Sequence, residues 1–151
     1  MSDKLLQIDN LGVQFRQGGG VVNAVKNASL HVGEGETVAL VGESGSGKSV
    51  TALSVLQLLP YPAAMHTKGS SITFRGKQLV GASERTLERV RGDRISMIFQ
   101  EPMTSLNPLH VVEKQISEVL IIHKGMSQQA ARTRTLELLE LVRIPQPEQR
   151  L

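Results

Sequence analysis

The sequence predicts an α/β fold: an antiparallel β region first, a strand–loop–helix unit in the middle and helices at the end. Three observations carry this. Residues 5–32 hold two strand-like runs on either side of a glycine triplet. A short, continuously apolar run at 37–41 leads through a glycine-rich loop into a stretch of helical periodicity. After residue 110 the only periodicity left is helical, so the α/β part precedes a helical appendage.

Taken in order, residues 5–15 alternate in part, with Leu6, Ile8, Leu11, Val13 and Phe15 as the apolar positions, and are predicted as a strand. Gln17-Gly18-Gly19-Gly20 is a hairpin turn, from which residues 21–32 return as a second strand. A turn at 33–36 precedes the run 37–41, a strand of the kind buried on both faces of a parallel sheet. After Gly47, KSVTALSVLQLL sets Val50, Leu53, Leu56 and Leu59 on about one helical face, and Pro60 and Pro62 end it. Residues 71–74 are a strand, Gly76 a turn, and 83–91 a short charged helix capped by Ser83. Residues 94–99 form another buried strand, and 100–110, with two prolines, a loop. A helix over 111–124 stops at Gly125. Ser127 caps a last helix reaching Arg143, which Pro145 and Pro147 terminate. The boundary falls near Gln100, giving a first region of 1–99 and a second of 100–151.

Composition excludes several classes. Hydrophobic residues are 40% and charged residues 21% of the chain, a globular balance. No apolar run approaches the roughly 18 residues of a membrane span, and MSDKLLQIDN lacks a secretory pattern. With no cysteine, disulfides and cysteine-based metal sites are excluded and a cytosolic setting is favoured. A net charge of +3, evenly spread, is too small for a nucleic-acid surface, and Trp is absent, so no aromatic ladder exists for bases. The four histidines, at 31, 66, 110 and 123, lack metal-ligand spacing. Arg91-Gly92-Asp93 spells an adhesion tripeptide, but reads as a helix end and turn.

Gly42-Glu43-Ser44-Gly45-Ser46-Gly47-Lys48-Ser49 matches G-x-x-x-x-G-K-[ST]. The glycines let the backbone fold into a nest whose N–H groups point inward at anionic oxygens. The helix that follows presents its unsatisfied N–H groups, from Lys48 to Val50, to the same phosphates. Lys48 brings a mobile ammonium for the β- and γ-phosphates, and Ser49 a hydroxyl able to ligate Mg²⁺. A bare match arises by chance in roughly one chain of this length in a few hundred; the apolar run before it and the helix after it make the phosphate reading the stronger one. A dinucleotide fingerprint fails, because Val50 stands where a third glycine is needed. The only D-x-x-G, starting at Asp9, precedes the loop and no Asn-Lys-x-Asp occurs, which excludes the usual guanine reader.

Two segments carry a family resemblance. LVGESGSGKS, residues 40–49, resembles the phosphate loop of the ATP-binding subunits of ABC transporters, and MIFQEPMTSLNP, residues 97–108, resembles their Q-loop and the stretch after it. The Ser-Leu-Asn-Pro ending is similar to the oligopeptide, dipeptide and nickel importer branch. The likeness runs over the whole chain. It implies a P-loop NTPase core with an antiparallel β subdomain and the start of an α-helical subdomain, a truncated ABC ATPase domain.

The resemblance also implies roles by position. ATP with Mg²⁺ is the ligand, held by Gly42, Glu43, Ser44, Gly45, Ser46, Gly47, Lys48, Ser49 and Val50. Ser49 and Gln100 ligate the Mg²⁺, and Lys48 and Gln100 act in catalysis. Phe15 stands where the family stacks an aromatic on adenine, although the residues alone favour a strand core position for it. The loop after Gln100 resembles the surface that meets integral membrane permease subunits, and a second nucleotide-binding domain completes the site. The implied location is the cytoplasmic face of a bacterial inner membrane.

In this family hydrolysis uses an apolar strand ending in Asp-Glu, an L-S-G-G-Q signature and a switch histidine, none of which occurs here. Asp is found only at 3, 9 and 93, and Glu101, after the run 95–99 and Gln100, is not such a base. The expectation is an N-terminal part of a nucleotide-binding domain, inactive alone, with an apolar edge exposed. The alternatives are a non-transport ABC ATPase and a nucleotide-binding piece that does not hydrolyse.

Overall fold

The computed structural model describes residues 4–100 and 106–151. Glu101 and most of the stretch linking Gln100 to Pro108 lie outside them. The chain divides into two compact units, Met1–Arg91 and Gly92–Leu151.

The first unit is built on a long antiparallel hairpin, β1 (Lys4–Gln17) and β2 (Gly20–Gly33), closed by the turn at Gly18 and Gly19. After the hairpin come α1 (Lys48–Val55), three short strands, β3 (Ala64–His66), β4 (Ser71–Phe74) and β5 (Lys77–Gln78), and α2 (Glu84–Glu88). Strand β1 is the centre of the sheet. One of its edges takes β2 along its whole length; the other is divided between β4, opposite Leu6 to Asp9, and β3, opposite Val13 to Phe15. Sharing β1 in this way brings its inward residues Ile8, Leu11 and Val13 to almost complete burial, and Ile72, directly opposite Ile8, is fully buried. Each such side chain contributes about 1.5–3 kcal/mol through burial.

Helix α1 buries Thr51, Ser54 and Val55, the i, i+3, i+4 face. Its expected apolar face is thus rotated, with Val50 and Leu53 only half-buried. It is also shorter than predicted. Gln57 turns left-handed at φ 53°, ending the helix before the prolines are reached. The guanidinium of Arg91 then satisfies the helix end, donating from Nε to Leu56 O at 2.8 Å and from Nη2 to Gln57 O at 3.0 Å, and it pairs with Glu84. The arginine of the adhesion-like tripeptide is therefore spent on a helix cap. Beside this end, Tyr61 Oη lies 3.3 Å from Gln57 Oε1 and 3.4 Å from His66 Nδ1. Burial raises the Tyr61 phenol pKa against the opposing charge of Arg91, and burial lowers that of the His66 imidazole.

In the second unit, α3 (Val112–Lys124) ends at left-handed Gly125, whose N–H donates to Ile121 O. Helix α4 (Gln128–Leu141) starts at Ser127, whose Oγ accepts from Ala130 N at 3.3 Å. Its buried face is Ala131, Thr135 and Leu139. Asp93 sits in a small ionic cluster, 2.6 Å from Lys124 Nζ and 3.1 Å from Arg94 Nε, and the Lys124 hydrogen bond holds its carboxyl below the usual range.

Four expectations need correcting. Residues 37–41 and 94–99 are not strands: no neighbouring strand takes up their backbone groups among the described residues. Val41 is 89% and Ile98 98% exposed, where burial on both faces was expected. Ser83 precedes α2 in extended geometry, but its hydroxyl lies on Thr86 Oγ1 at 3.0 Å instead of capping a backbone N–H. Helix α4 stops at Leu141, because Arg143 adopts φ 59°.

Candidate functional site

The glycine-rich loop folds as a cradle at the start of α1. Gly47 is the N-cap, at φ 90°, and Gly45 has φ 79°, conformations in which a side chain would be strained. A turn from Ser46 N to Glu43 O closes the loop, and Thr51 anchors the first helical turn by donating both its N–H and its Oγ1 to Gly47 O, at 2.8 and 2.9 Å. No side chain caps the N-terminus of α1 and no acidic residue sits in its first turn. The N–H groups of Lys48, Ser49 and Val50 therefore precede the helical ladder uncapped, at the positive end of the helix. That is a donor set made for an anion.

Lys48 reaches back over the loop. Its Nζ donates to Gly42 O and Glu43 O, both at 2.7 Å, and lies 3.3 Å from Ser46 Oγ. The ammonium is thereby held above the nest by two backbone carbonyls, where an incoming phosphate oxygen can join its coordination. Gly42 is closely packed in turn, since a Cβ there would stand 2.7 Å from Ser46 Oγ. Ser49 lies exposed on the first turn, a hard oxygen donor suited to Mg²⁺. Among the described residues no cluster of three His, Cys, Asp or Glu could hold a metal. Any cation here would depend on the hydroxyl and on ligand phosphates.

The loop rests on the hairpin. A Cβ on Gly47 would meet Ala24 O at 2.6 Å and Val25 Cγ2 at 3.0 Å, so only glycine allows this approach. A cleft of about 370 Å³ follows the contact, lined among others by Ala24, Val25, Lys26, Ser46, Lys48 and Thr51. Phe15 is not part of its lining. It lies half-buried near the hairpin tip, directly across the ladder from the exposed Val22. The loop residues from Gly42 to Val50 are thus brought together, and Phe15 belongs to the same unit. Gln100 stands at an exposed bend in the second unit.

Sequence reasoning missed Ala24 and Val25 as the seat of the loop. The signal was weak: a small residue beside a buried valine in an otherwise ordinary strand. The extra residue that places Ala24 there is a matter of cross-strand register.

Comparison with known proteins shows the family and the fold. The ABC transporter family model matches residues 25–151. The chain is 57% identical, over 97% of its length, to the peptidoglycan transport ATP-binding protein YejF of Agrobacterium fabrum, of which it covers 27%. It is 50% identical, over 98% of its length, to the oligopeptide transport ATP-binding protein OppD of Bacillus subtilis, of which it covers 41%. The chain thus spans less than half the length of these relatives. Its fold is similar to that of MJ0796, a bacterial ABC transporter cassette solved as a dimer, with a TM-score of 0.78 and 26% identity over 93% of this chain and 58% of the other. A post-hydrolysis form of the same cassette with ADP and Pi gives 0.79. Among the described residues no helix is long and apolar enough to cross a membrane.

Proposed function

Since the chain belongs to the ABC transporter family of ATP-binding proteins, we propose that it is part of the energising subunit of a peptide importer. In this reading MgATP is bound at the loop of residues 42–49, and its hydrolysis is coupled to transport across a bacterial inner membrane. The observation that carries the reading is the Lys48 ammonium, suspended by two carbonyls beside the uncapped N-terminus of α1. The peptide class is supported by relatives named for oligopeptide and dipeptide transport, at 50% and 48% identity.

Each residue then has a task. The N–H groups around Gly45, Gly47 and Lys48 bind the phosphate oxygens, and Lys48 offsets the charge on the β- and γ-phosphates. Ser49 ligates Mg²⁺, which when bound would neutralise charge developing on the transferred phosphoryl group. Phe15 stacks on the adenine, and Gln100 orients the attacking water and, with Ser49, would hold the Mg²⁺ when it is bound. The catalytic carboxylate and the opposing signature are supplied outside these residues, so the chain alone turns over no ATP. Its partners are integral membrane subunits, met through the region after Gln100, and a second nucleotide-binding domain, identical or related. Its place is peripheral, on the cytoplasmic face.

Co-purification tests the reading. From detergent-solubilised membranes, the longer polypeptide containing this sequence should bring down integral membrane subunits. Recovery with soluble partners alone would favour the non-transport alternative.

A further inference from the structure

We propose that Ala24 is a positioning residue: a one-residue bulge in β2 fixes the distance between the phosphate loop and the base-stacking end of the hairpin. The inference rests on the nucleotide-binding reading above and assigns the part that joins its two halves.

The bulge is seen in the register. Val13 faces Val25, yet the next residue of β1, Gln14, faces Asn23, which leaves Ala24 without a partner. Such an extra residue bends its strand and turns its peptide groups away from the ladder. The carbonyl of this unpaired residue is the atom on which Gly47 closes, 2.6 Å from where a Cβ would stand. Gly47 caps α1 and immediately precedes Lys48, so the contact sets the position of the whole nest.

On the far side of the bulge the ladder is regular again. Gln14 Nε2 donates to Asn23 Oδ1 at 2.9 Å, and the next pair is Phe15 with Val22. From Ala24 to Val22 is two residues, about 7 Å along a strand. A nucleotide spanning the two features is therefore measured against a rigid ladder instead of a flexible loop. If Ala24 is removed, Val13–Val25 and Gln14–Asn23 become consecutive pairs, so the hairpin can keep its register while losing the seat of Gly47.

The test compares two ligands on the full chain by calorimetric titration with Mg²⁺: ATP, which uses both halves, and inorganic tripolyphosphate, which uses only the nest. In the variant lacking Ala24, ATP affinity should fall about tenfold, the scale of a lost stacked base, with tripolyphosphate affinity changing less than twofold. Ala24→Ser, which keeps the bulge, should retain the wild-type ratio. Gly47→Ala keeps the chain length and the bulge but places a Cβ 2.6 Å from Ala24 O, so it obstructs the same approach and carries the test if the deletion does not fold. Equal losses for both ligands, or an unchanged ratio in the deletion and in Gly47→Ala, would overturn the inference while leaving the proposed function standing. A wild-type chain that binds neither ligand would overturn both.

Discussion

Lys48 is where the chemistry of the loop is concentrated, because its ammonium takes two carbonyls at 2.7 Å and faces the uncapped first turn of α1. An alanine there removes the only side-chain charge held over the nest by these contacts, yet touches no buried apolar residue. Phe15 is the residue proposed for the other end of the site. Phe15→Ala should weaken ATP binding several-fold, in line with about 1–3 kcal/mol for a stacked base; a titration showing unchanged affinity would remove Phe15 from the site. At this scale the spacing of Gly42, Gly47, Lys48 and Ser49 made the nest legible in the sequence, because close backbone approach and a positive φ leave few alternatives to glycine. Ala24 was illegible for the opposite reason. An alanine fits any strand, and its task comes from a register that only pairing with β1 defines.

Among the elements, β1 carries the first unit, since its two edges hold β2, β3 and β4. Ile72→Ala should cost about 2–5 kcal/mol in a denaturant melt, as the site is fully closed. Arg91→Ala would leave the carbonyls of Leu56 and Gln57, just past α1, without their charged donor, at a cost of about 1.5–3 kcal/mol. Arg91→Lys should rescue little, because an ammonium cannot reproduce the planar fork. Burial of His66 lowers its pKa from 6.5, so the unfolded chain binds more protons in the window just below that value. Its contribution is present above 6.5 and is lost progressively as pH falls from there to the lowered folded value; His66→Gln should flatten that part of the stability profile. The hairpin was readable from alternation and a glycine turn, and α3 from its period and Gly125. Segments 37–41 and 94–99 were read as strands from apolarity alone. Apolarity signals readiness for a sheet, but a strand also needs a neighbour to take its hydrogen bonds.

For the molecule as a whole, the same two segments leave Val38, Leu40, Val41, Ile98 and Phe99 exposed. Exposed apolar segments with unpaired backbone favour association between copies. Sizing at rising concentration should show growth that Ile98→Lys reduces. Steady-state hydrolysis by the 151-residue chain should match buffer, and Lys48-dependent turnover would show that its residues suffice for catalysis. The family was legible from two short segments because phosphate binding constrains sequence tightly. The central claim is that the loop of residues 42–49 holds a nucleoside triphosphate, and thermal unfolding with and without MgATP tests it most directly. A ligand at about a hundred times its dissociation constant adds about 2.7 kcal/mol, a rise in Tm of roughly 5–11 °C for a chain of this size. The account predicts that rise for the wild-type chain and none for Lys48→Ala; an equal rise in both, or none in either, would contradict it.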